Sequence, residues 1–171
     1  DVLIVCAAGS LLCLDRVVGQ WMLSRPVIAG SVVGLLLGDL PTGLTAGAVI
    51  ELIWIDRLPL GLYLPPNDTL VAVLVSSAPI LASELVGIPA SGRMVALAVL
   101  LFLPLGVFAQ RLDYWNAGRN ERLAREALQA AERADIPAVA RSHRTAIIGH
   151  LLIAACLILV LLPLGTAVLC L

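Results

Sequence analysis

Residues 38–70 read GDLPTGLTAGAVIELIWIDRLPLGLYLPPNDTL, and this stretch decides the fold. It sets Asp39, Glu51, Asp56, Arg57 and Asp68 among strongly apolar sequence, and Gly and Pro interrupt the apolar run repeatedly. Charge within a membrane segment is costly, so ionisable residues there mark a site or a water-filled path. Short hydrophobic segments broken by Gly or Pro are the sequence pointer to a transporter's binding site.

Upstream, residues 26–38 and 40–50 are two short apolar pieces joined by GDLPTG. Runs of this length suit re-entrant segments better than spans. Gly30, Gly34 and Gly38 recur every four residues, as do Gly43 and Gly47, a spacing that lets helix backbones approach closely. The pattern predicts a tight helical hairpin dipping into the membrane; two tilted helices packed on their glycines would carry the same pattern. Downstream, Pro59, Pro65 and Pro66 forbid one continuous helix. Such broken backbone is tolerated at membrane depth only when buried in protein or lining a cavity.

Composition places the rest of the chain around this stretch. Of the 171 residues 60% are hydrophobic and 13% are charged, against about 25% charge in a soluble domain. The chain is predicted to be all-α and polytopic in a membrane. A net charge of −1, with every one of the 11 basic residues an arginine, presents no basic face for nucleic acid. Cys6, Cys13, Cys156 and Cys170 lie in apolar runs without metal-ligand spacing, as buried, inert thiols would. No secretory signal is visible at the start of the sequence.

Residues 2–14 form an apolar run too short to cross a bilayer unless extended upstream. In residues 15–25, Val17, Val18, Trp21 and Met22 recur opposite Arg16, Gln20 and Ser24. That spacing predicts an amphipathic interfacial helix with Trp21 at headgroup depth. Residues 69–83 and 94–110 read as further membrane helices carrying Pro79 and Pro104. Residues 111–144 hold seven of the 11 arginines and five of the 12 acids. Strong helix formers and the i, i+4 pairs Glu121–Arg125 and Arg122–Glu126 make this a solvated helical loop, cytoplasmic by the positive-inside rule. Residues 145–171 carry no Asp, Glu, Lys or Arg and are expected to break at Pro163. The domain reading is therefore 1–110 as a membrane region with the hairpin and candidate site at 26–70, then the loop 111–144, then a transmembrane helix at 145–171.

Three blocks carry a family resemblance: RPVIAGSVVGLLLGD at 25–39, the G-x-x-x-E run ending at Glu51, and PPNDTL at 65–70. Together they resemble the membrane component EIIC of the mannose/fructose/sorbose family of the bacterial sugar phosphotransferase system. The resemblance implies a sugar permease component of the inner membrane that binds a hexose and passes it inward. It further implies a second membrane component, EIID, as partner, and soluble components EIIA and EIIB with a phosphohistidine on EIIB. Further C-terminal helices in longer family members are implied as well, and the glycine faces together with the incomplete repeat suggest obligate oligomerisation. No cofactor and no phosphorylated residue on the chain itself are implied. A rival reading is a non-transporting membrane scaffold or receptor, or a permease remnant.

With a hexose as ligand, Glu51, Trp54, Asp56, Asn67 and Asp68 are the candidate contacts. Trp54 and Ile55 follow Glu51 at i+3 and i+4, so a carboxylate accepting from hydroxyls would stand beside an apolar indole face. Glu51 could instead pair with Arg57 or cap a half-helix. Asp56 and Arg57 are adjacent and should diverge on a helix, with Asp56 toward the site and Arg57 toward water. Asn67 and Asp68 suit either helix capping or ligand contact. Asp39 suits a turn, His143 a solvated edge, and His150 a hydrogen bond to a neighbour. No catalytic motif or metal spacing is present.

Overall fold

The glycine ladder folds as a hairpin. In the computed structural model, which describes residues 1–57 and 63–171, α1 (Val2–Asp15) precedes the two hairpin arms α2 (Pro26–Leu36) and α3 (Leu40–Ile53). A Cβ on Gly43 would stand 2.3 Å from the Gly30 carbonyl oxygen, and one on Gly47 would stand 2.3 Å from that of Pro26. The two backbones therefore touch, and only glycine leaves room for this. The tip turns at Gly38, whose φ of 79° is a conformation glycine adopts freely. Asp39 then caps α3, accepting from the Thr42 backbone N–H at 3.1 Å and its hydroxyl at 2.6 Å. Arms of 11 and 14 residues are about 16 and 21 Å long, short of the roughly 30 Å of a bilayer's hydrocarbon core.

Three longer helices follow: α4 (Asp68–Val86), α5 (Gly92–Glu132) and α6 (Ile136–Leu169), each long and apolar enough to cross a membrane. The central one is α4; α1, both hairpin arms, α5 and α6 all pack on it. Its residues from Thr69 to Ala82 are buried without interruption, which explains why its sequence shows no polar stripe. It ends at Gly87, left-handed with φ 74°. Among the described residues there is no strand.

Three expectations give way. Residues 15–25 are not an interfacial helix: the Asp15 carboxylate accepts the backbone N–H groups of Trp21 (2.9 Å) and Ser24 (3.1 Å) and folds the chain back on itself. Local side-chain-to-backbone bonds of this kind compete with helix, and Gln20 and Met22 adopt positive φ in the resulting turns. Pro163 does not break α6, just as Pro79 and Pro104 lie inside α4 and α5. Away from water, a helix that continues past proline leaves fewer backbone groups unpaired than one that stops. Cys156 on α6 and Cys170 just past its end are exposed, whereas Cys6 and Cys13 are buried; an apolar run facing outward looks the same in sequence as one facing inward.

The change of character at residue 111 is not a helix boundary. α5 runs through it for 41 residues and turns at 133–135 into the 34-residue α6. Asp135 caps α6 by accepting from the Ala138 N–H at 3.1 Å. The Arg-rich segment is thus the outer part of an α5–α6 hairpin, and of its two expected ion pairs Glu121–Arg125 is formed. The break expected at Pro59 lies outside the described residues; Pro65 and Pro66 lie in the extended approach to α4.

Candidate functional site

α1 and α3 end, and α2 and α4 begin, at the same end of the bundle, where α5 and α6 pass by. A cavity of about 730 Å³ opens between them. Arg16, Arg25 and Arg57 line it together with Glu51, Asp68 and Asp113, so charges of both signs face one space. Helix ends supply all of these but Asp113, which lies within α5, because a helix terminus brings its last side chains and its unpaired backbone to the same point.

Glu51 projects from the last turn of α3. Its Oε2 accepts the Val27 N–H at 2.9 Å and its Oε1 meets the Arg25 guanidinium. The carboxylate therefore caps the N-terminus of α2, where orphan N–H groups and the helix dipole favour negative charge. Its cationic partner is Arg25 rather than Arg57. Trp54 closes α3 and lines the cavity, with its indole edge over Gly106 of α5: a Cβ there would meet the ring at 2.5 Å.

Asp56 does not line the cavity and Arg57 does, the reverse of the expected orientation. The two also meet, Arg57 Nε to Asp56 Oδ1 at 3.6 Å, where divergence was expected. α3 has already ended at Ile53, so helical geometry no longer governs this dipeptide. At 51% and 76% side-chain exposure the pair contributes little to stability.

Asn67 is buried and fully engaged. Its Oδ1 accepts the Leu70 N–H (3.1 Å), its Nδ2 donates to Asp113 Oδ2 (3.1 Å), and its own N–H donates to the Gly106 carbonyl (3.0 Å). It caps α4 and ties it to α5 at once. Asp68 faces Arg16 Nη1 at 3.4 Å and accepts the Thr69 N–H at 2.9 Å, while the Thr69 hydroxyl donates to the Ser24 carbonyl at 2.6 Å.

The opposite wall went unread in the sequence. Asp113, Asn116 and Asn120 on α5 and His150 on α6 also line the cavity. Their i, i+3, i+7 recurrence was a legible signal, but it lay within a segment whose charge density marked it as solvated. His150 hydrogen-bonds as expected, its Nε2 3.2 Å from the Cys13 carbonyl and its Nδ1 3.4 Å from Asn116 Nδ2. His143 is exposed. Among the described residues no cluster of His, Cys, Asp or Glu could hold a metal ion. Donors and acceptors around an apolar indole make this a candidate small-molecule site.

The chain is similar in sequence and fold to known membrane proteins. A family model described as "PTS system sorbose-specific iic component" matches residues 1–170. The chain is 42% identical over 65 residues, 38% of its own length, to a "Putative N-acetylgalactosamine permease IIC component 2" of Escherichia coli (strain K12), spanning 48% of that protein. It is 26% identical over 83% of its length to the "PTS system sorbose-specific EIIC component" of Klebsiella pneumoniae, again spanning 48% of that protein. The chain thus spans about half the length of these curated relatives. In fold it is similar to a chain of a cryo-EM structure titled as the mannose transporter ManYZ with microcin E492. The TM-score there is 0.76 at 20% identity, over 94% of this chain and 61% of that one. A second solved structure, titled only as a membrane protein, gives a TM-score of 0.78 at 21% identity, over 96% and 63% of the two chains.

Proposed function

We propose that this chain, which belongs to the family of sorbose-specific IIC components of the phosphotransferase system, forms the sugar-binding part of a hexose permease. The chain is a helical, multi-pass protein of the bacterial inner membrane. In the proposed reading it performs no chemistry itself. It takes up a hexose of the mannose, fructose, sorbose or amino-sugar type and presents it on the cytoplasmic side, where EIIB phosphorylates it. EIIA stands upstream of EIIB, and EIID is the partner in the membrane.

One observation carries this reading: Glu51, Trp54 and Asp68, from two helix termini of a glycine-packed hairpin assembly, line one 730 Å³ cavity. That volume lies within the range of small-molecule sites, about 300–1,000 Å³. The indole offers an apolar face, and the carboxylates offer acceptors to hydroxyl donors. Asn67 shapes the site by holding α4 against α5, and its hydrogen bonds favour capping over ligand contact. The Arg-rich α5–α6 hairpin leaves the bundle at the cavity's end, and by the positive-inside rule it faces the cytoplasm. The cavity then sits toward the side where phosphorylation takes place.

The test is uptake and phosphorylation of labelled hexoses in cells producing the full protein with EIIA, EIIB and EIID, wild type against Glu51→Gln. Accumulation of a sugar phosphate that collapses in the variant, with the protein still in the membrane, is the expected result. Wild-type cells that take up no hexose would overturn the permease reading in favour of a scaffold or remnant.

A further inference from the structure

On α5, along the cavity, stand buried polar atoms that find no partner among the described residues, and a hydrogen-bond chain orients one of them. The Cys13 carbonyl can only accept, so His150 Nε2 must carry a proton to bond it at 3.2 Å. In the neutral ring Nδ1 is then an acceptor, met by Asn116 Nδ2 at 3.4 Å. This sets the Asn116 amide with its nitrogen toward the ring and leaves Oδ1 as a spare acceptor. That Oδ1 is buried and has no partner among the described residues, on a residue only 4% exposed. One turn later Asn120 Oδ1 is likewise buried and unpaired. Between them, the Arg119 guanidinium lies over Trp115 and against the backbone of Gly149, with Nε and Nη2 unpaired. Buried polar atoms without partners are rare in proteins, and each asks for a partner.

We propose that the α5 turn carrying Asn116 and Asn120 is a second, specificity-determining wall of the sugar site, with His150 as its positioning residue. The inference rests on the permease reading above and deepens it. Each sugar hydroxyl both donates and accepts, so it can donate to one of these amide oxygens while accepting from a neighbouring donor. The wall therefore reads hydroxyl positions on the sugar. Because the amides are oriented groups on one helix face, they discriminate hydroxyl positions where Glu51, held by Arg25 and Val27, is already engaged.

The experiment is isothermal titration of the purified full-length protein with mannose, fructose, sorbose and N-acetylgalactosamine, then with single-deoxy analogues of the best binder. Asn120→Ala carries the test, because its side chain makes no hydrogen bond among the described residues. We expect its Kd to rise about tenfold for the best sugar. One deoxy analogue should bind wild type correspondingly weakly and be indifferent to the substitution, a coupling that a merely structural effect would not produce. Asn116→Ala and His150→Phe should erase sensitivity to a second hydroxyl position, and His150→Gln, with a donor and an acceptor, should restore it. Unchanged Kd values in Asn120→Ala and Asn116→Ala beside normal wild-type binding would overturn this wall and leave the permease reading standing. Failure of the wild type to bind any of the four sugars would overturn both.

Discussion

The Glu51 carboxylate accepts the Val27 N–H at 2.9 Å, so the last turn of α3 caps the first turn of α2. A side chain that faces the cavity also locks the base of the hairpin, 24 residues away along the chain from the group it binds. Loss of transport on changing Glu51 therefore has two possible origins, and stability separates them.

Glu51→Ala leaves the Val27 N–H and the Arg25 guanidinium without their acceptor. Removing one partner of a buried hydrogen bond costs about 1–3 kcal/mol. Glu51→Gln keeps an oxygen for Val27 and loses only the charge toward the half-exposed Arg25, so its cost should be smaller. Thermal unfolding of the purified protein should rank wild type, Gln and Ala in that order; equal melting temperatures for all three would remove the capping role.

The hairpin's close contact predicts a sharp contrast between glycines. Gly43→Ala places a methyl 2.3 Å from the Gly30 carbonyl oxygen, and such overpacking costs about 1–3 kcal/mol as the backbones separate. Gly118→Ala, in α5 with nothing within 4 Å of the added atom, should stabilise by roughly 0.5–1 kcal/mol through helix propensity. Melting temperatures that move in the same direction for both would contradict the packing described here.

Asn67 joins two functions that substitution can part. Asn67→Ser keeps a cap for the Leu70 N–H but drops the bond to Asp113, whereas Asn67→Ala drops both. Loss of the cap alone is worth about 0.5–2 kcal/mol. The Ser variant should fall between wild type and Ala in thermal stability. A Ser variant as unstable as Ala would mean that the α4–α5 tie, not the cap, carries the effect.

Asp56 stands outside the cavity with a mostly exposed side chain. Surface substitutions of this kind change stability by no more than about 0.5 kcal/mol. Asp56→Asn should leave the KM for sugar uptake within about twofold of wild type. A KM raised tenfold would return Asp56 to the site.

Much of this architecture is local and was legible in the residues. The glycine spacing announced the hairpin, Asp39 suggested its turn, Asn67 offered a cap as one of two readings, and unbroken hydropathy announced the spans, because each follows from bonds within one or two helical turns. The errors had local causes as well. Asp15 captures the backbone of its own downstream turn, and no periodicity reports that competition. Pro163 ends helices in water but not where carbonyls have no water to turn to. The charge density of residues 111–144 hid the stripe of Asp113, Asn116 and Asn120, since a solvated helix face and a cavity wall use the same residue types.

The sequence by itself determined that this is a helical membrane protein, where its backbone bends, and that Glu51, Trp54 and Asp68 sit near those bends. Only the tertiary structure decided which charges meet. Glu51 pairs with Arg25 rather than Arg57, Asn67 ties to Asp113 across 46 residues, and His150 reaches the Cys13 carbonyl across 137. The reason is geometric: a partner is chosen by where helices cross and end, and in a bundle around α4 that depends on the packing of every helix at once.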